Sequence, residues 1–143
     1  MVDISALTNS AGYLLEGVLV TLLLVALSLF IGFVCGIVLT LGQVYGPKVI
    51  KKLVGIYVWF FRGLPNIVLL FLFYFALFPF MGLDLPAFFV AVTVLGMRSA
   101  AYQSQIFRGA IESIASGQML AARSLGMTKW QAIRSIILPQ TLR

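Results

Sequence analysis

Arg98, Tyr102, Gln105, Gly109 and Glu112 recur at intervals of three and four inside an otherwise apolar stretch. At ~100° per residue this spacing keeps them within about 40° of one line along a helix, so they form a single polar stripe. Polar and charged groups in such a segment are costly unless they face a bundle interior or a wet cavity. Arg98, near the middle of the stretch, offers a planar fork of donors to a carboxylate, with Tyr102 and Gln105 as hydrogen-bonding neighbours. Arg98, Tyr102 and Gln105 are therefore the candidate lining of a substrate path. The competing role for Arg98 is a structural pair with an acid on another helix or subunit.

Other chemistries are excluded by what the chain lacks. It has no histidine and one cysteine, Cys35, which rules out intrachain disulfides and His or Cys metal clusters. No Gly-x-x-x-x-Gly-Lys-Ser/Thr is present to cradle nucleotide phosphates, so any nucleotide energy must come from a partner. The four acids are scattered rather than paired for acid–base work. The chain reads as a non-enzymatic subunit with no cofactor of its own.

The elements that must position the stripe follow from composition. Of 143 residues, 62% are hydrophobic and 10% charged, and the mean hydropathy is +1.09. A water-soluble domain of this length cannot hide so much apolar surface, so the surroundings are a bilayer. Spans are expected at about 14–41, 64–82 and 86–111, with Thr8, Asn9 and Ser10 as candidate N-caps before the first. Ser28, Gly32, Gly36 and Thr40 recur every fourth residue and predict a face for close helix packing. Lys48, Lys51 and Lys52, followed by Tyr57, Trp59, Phe60 and Phe61, suit a helix at the inner membrane surface. Arg62-Gly63-Leu64-Pro65 then breaks the backbone and Pro65 opens the second span. Lys and Arg are absent from residues 1–16 and 79–86 but follow the first and third spans, which predicts an outside N-terminus.

Beyond the stripe, residues 117–139 predict two short helices joined by a tight corner. Gly126 closes the first by taking positive φ, and Thr128 and Gln131 form a capping box for the second. Pro139 is expected to end or kink that helix. Arg123, Lys129 and Arg134 keep the unit in water, while Met119, Leu120, Leu125, Met127, Trp130 and Ile133 make it a surface for a partner to grip. Charge bias puts this hairpin in the cytoplasm. Helix, glycine turn and helix with basic residues also describes a DNA-binding helix-turn-helix or a plain structural hairpin.

The spacing Ala121-Ala122, three residues, Gly126, nine residues, Ile136, one residue, Leu138-Pro139 resembles the cytoplasmic loop of ABC-transporter permeases. FFRGLPNIVLLF, AAYQSQIFRGAIESI, ESIASGQ and LPQTLR are similar to phrases of the polar amino-acid branch. Two positions depart: Leu120 and Gln105 stand where that family commonly has Glu. The resemblance implies that Gln118, Leu120, Ala121, Ala122, Leu125, Gly126, Ile136, Leu138 and Pro139 meet an ATPase subunit that binds ATP. It also implies a second permease, an extracytoplasmic amino-acid-binding protein, the lipid bilayer and no nucleic acid as surroundings.

The expected fold is all-α integral membrane: three transmembrane helices followed by a cytoplasmic helix-turn-helix coupling loop, an incomplete type I ABC importer permease. The resemblance implies two further spans after Arg143. The expected function is amino-acid import driven by a separate ATPase. The alternatives are a membrane-anchored DNA-binding regulator or a fragment of an ion-coupled carrier.

Overall fold

A computed structural model describes the backbone of residues 4–113 and 116–141 and the side chains of 11–113, 117–137 and 139–140. Helices dominate, and there is no strand among the described residues. The first helix, α1, runs Ile4–Tyr45. Thr8, Asn9 and Ser10 lie inside it rather than capping it. The portion Ala11–Tyr45, whose most apolar 18-residue stretch has a mean hydropathy of 2.9, is long and apolar enough to cross a membrane unaided. Gly46 and Pro47 stop it. Helix α2, Lys48–Gly63, buries Val54, Val58 and Phe61 on one face and leaves Trp59 76% exposed on the other. Of the expected interfacial aromatics, Trp59 alone stands well clear of the packing, because Tyr57 and Phe60 also lean on the core that Phe61 enters.

Leu64 and Pro65 adopt extended backbone and interrupt the helix. Helix α3, Asn66–Phe80, leaves at 109° to α2. Its middle, Leu72–Leu77, is π-helical, and Pro79 follows immediately. A proline clashes with the carbonyl four residues back and cannot bond to it, and the wider i→i+5 turn accommodates that loss. After a turn in which Gly82 takes φ +73°, helix α4 spans Ala87–Glu112.

The scaffold is the packing of α4 along α1. Ser28 Oγ donates to the Val92 carbonyl, and Thr40 Oγ1 to the Ser104 carbonyl at 3.0 Å, so later residues of α1 meet later residues of α4. The two helices therefore run parallel, and the chain between them must travel back. At ~1.5 Å per residue, α3 alone reaches only about 22 Å, short of the ~30 Å hydrocarbon core. Helices α2 and α3 lie between the two, joined at the Pro65 break, and the expected span 64–82 falls on α3 and the turn that follows it. Lipid provides no hydrophobic drive between helices, so close van der Waals approach has to hold α1 to α4. Gly32 permits it: a Cβ there would lie 2.6 Å from Ser99 Cβ.

Candidate functional site

The hairpin is built from short-range bonds. Helix α5 covers Ser116–Ser124 and ends in a Schellman turn. Gly126 takes φ +80° and its N–H donates to the Arg123 carbonyl at 3.0 Å, while Met127 N–H donates to the Ala122 carbonyl at 3.2 Å. Thr128 Oγ1 accepts from Gln131 N–H, and Gln131 Oε1 accepts from Thr128 N–H at 2.8 Å, completing the capping box. Helix α6 then continues through Lys129–Ala132, a π-helical Ile133–Ile137 and Leu138–Thr141. Pro139 does not end it. As before Pro79, the widened turn just upstream absorbs the missing N–H.

This frame separates the nine expected contact residues. Ala122 is buried inside the corner, with Ala132, Ile133 and Ile137 turned to the body of the protein. Ile136 is half-buried. Gln118, Leu120, Ala121, Leu125, Gly126 and Pro139 face outward, Leu120 at 71% and Leu125 at 82% exposed. The Leu138 side chain lies outside the described residues. Trp130, 67% exposed, is a further outward apolar side chain of the hairpin and edges a cleft with Leu41, Tyr45 and Ile133. The sequence counted it among the apolar residues a partner would grip, though not among the nine that the family resemblance implies. Lys129 Nζ lies 5.1 Å from the Tyr45 ring centroid and ties the hairpin to the end of α1.

The polar stripe of α4 divides between two neighbours. Arg98 Nη1 donates to the Phe61 carbonyl at 2.9 Å and to the Leu64 carbonyl, and Nη2 donates to Tyr102 Oη at 3.2 Å. Arg62, which the sequence placed only in the break before the second span, lies 5.0 Å from the same Tyr102 ring. Gln105 instead turns to α1 and donates to Gln43 Oε1 at 2.9 Å. Arg108 and Glu112 form an exposed pair at 2.8 Å, the one ion pair among the described residues. Arg98 and Tyr102 are thus together, and Gln105 is held apart from them. A cavity of about 390 Å³ opens between α1, α4 and α6, walled by Phe33, Ile37, Ile106, Phe107, Ile133 and Ile137. Its lining is too apolar to receive a zwitterion.

Comparison with known proteins fits this arrangement. The family described as "Binding-protein-dependent transport system inner membrane component" matches residues 28–143. A probable amino-acid ABC transporter permease of Bacillus subtilis (strain 168) is 39% identical over 94% of this chain and 59% of its own length. The histidine/lysine/arginine/ornithine permease of Escherichia coli (strain K12) is 37% identical over 92% of this chain and 59% of its own length. The crystal structure of an amino acid ABC transporter with histidines superposes with a TM-score of 0.86 at 34% identity, covering 99% of this chain and 66% of that one. The chain spans about three fifths of the length of these curated relatives. With the match covering α4, the Schellman corner and the capping box alike, the chain belongs to the family of inner-membrane components of binding-protein-dependent transport systems.

Proposed function

We propose that this chain is permease material of an ABC importer for amino acids, coupling ATP hydrolysis on a separate subunit to substrate passage. The observation that carries this reading is the hairpin: a rigid Gly126 corner presents Leu120, Leu125 and Trp130 to the outside while Ile133 and Ile137 anchor it. An exposed apolar crest on a capped corner suits a groove in a protein partner. Duplex DNA fits less well, because Arg123, Lys129 and Arg134 amount to few phosphate contacts and Lys129 sits on Tyr45. The partners in this reading are ATPase subunits, a second permease copy or sister chain, an extracytoplasmic amino-acid-binding protein and the bilayer. The N-terminus lies outside and the hairpin in the cytoplasm, consistent with its basic residues.

Substrate passes along the α4 stripe in this reading, with Arg98, Tyr102 and Gln105 as lining. Support comes from Tyr102, 40% exposed between two guanidinium groups that have no carboxylate partner among the described residues. Substituting Gly126→Val tests the coupling role. It should abolish co-purification of the ATPase subunit while leaving membrane insertion unchanged, and a wild-type yield of ATPase would refute the reading.

A further inference from the structure

Pro65 leaves a carbonyl without its helical partner. Were α2 to continue, the Phe61 carbonyl would accept from the N–H of residue 65, and proline has none. Leu64, extended at φ −103° and ψ 145°, turns its own carbonyl out of the ladder, and the first α3 bond runs from Leu69 N–H to the Pro65 carbonyl. The break lies beside the apolar core formed by Phe61, Leu69, Phe73 and Val94, where an unpartnered carbonyl is costly. Both carbonyls are met by one group, Arg98 Nη1, reaching across from the middle of α4. Its positive charge also sits where the negative end of the α2 dipole emerges. Nη2 bonds Tyr102 Oη, and the guanidinium lies 5.2 Å from that ring, which fixes the plane of the fork.

We propose that Arg98 is a positioning residue that sets the angle between α2 and α3 by holding the two carbonyls released at the Pro65 break. It makes the break a clamped joint rather than a free hinge. Through it the return path is fastened to α4, the helix that leads on to the hairpin. The proposal stands on these bonds alone and does not depend on the importer reading or on what substrate passes.

The test uses the full chain in lipid nanodiscs with Cys35→Ser and spin labels at Lys52→Cys and Phe75→Cys, both exposed on the two arms of the break. Over arms of about 15 Å, opening the joint by about 30° lengthens the separation by about 6 Å. Arg98→Met is expected to add a longer-distance population of that size at unchanged helix content. Arg98→Lys, which keeps a cation and its donors, should retain the parent maximum. Arg98→Gln should fall between them and serves if Arg98→Met does not fold. Tyr57→Phe removes a different α2–α4 bond, from Tyr57 Oη to the Met97 carbonyl, and should leave the distance unmoved. A parent-like distribution in either neutral Arg98 variant overturns the proposal. So does a shift in Tyr57→Phe as large as that in Arg98→Met, which would signal general loosening.

Discussion

At Gly126 the φ of +80° excludes most side chains on backbone grounds alone, since a Cβ there would meet nothing within 4 Å. Substitutions should therefore rank by left-handed tolerance and not by size: Gly126→Asn mild, Gly126→Ala about 1 kcal/mol, and Gly126→Val worse. In the proposed importer, affinity for the ATPase subunit should follow that order. Gly32 is the opposite case, limited by space. Gly32→Ala drives a methyl into Ser99 and should lower thermal stability by about 1–3 kcal/mol, whereas Gly17→Ala, in open surroundings on the same helix, should be neutral or slightly stabilising. Differential scanning fluorimetry of the two variants in detergent separates them. The corner was legible because its bonds span only a few residues. The partners of Arg98 were not, since they are backbone carbonyls 37 and 34 positions upstream that carry no side-chain signature.

Elements show the same division between local and distant causes. Both ends of the capping box appear as the spacing of Thr128 and Gln131 requires, and Thr128→Ala should weaken the start of α6 by about 1 kcal/mol, read as lost helicity in a peptide of residues 117–141. The small-residue face of α1 was equally plain, for Ser28, Gly32, Gly36 and Thr40 are its buried positions over that stretch, all against α4. Of the two outcomes expected at Pro139, an end or a kink, the end does not occur there. Pro79 and Pro139 stay inside helices because each follows a π-helical segment, a backbone adjustment that residue identity does not reveal. The α4 stripe was also more divided than its periodicity implied, because α1 and α2 approach the helix from different sides and each takes part of the stripe.

Across the whole molecule, parallel α1 and α4 require the chain to return between them, and two helices meeting at 109° across the Pro65 break, α2 and α3, occupy that return. Hydropathy could show that a return existed, yet the 109° bend depends on Arg98 meeting backbone from another helix. If the positive-inside arrangement holds, Leu120→Cys in a Cys35→Ser background should react with a membrane-impermeant maleimide in inverted vesicles and resist it in intact cells. The all-helical fold is that of type I ABC importer permeases, as the 0.86 TM-score reflects. The claim at the centre of the account is that the Leu120, Leu125 and Trp130 crest seats in a nucleotide-driven subunit. A photo-cross-linking residue at Leu125, 82% exposed, puts that to a direct trial in membranes of the host cell. The account predicts an adduct with an ABC ATPase that is lost in the Gly126→Val background, whereas a cross-link to DNA, or none to an ATPase, would contradict it.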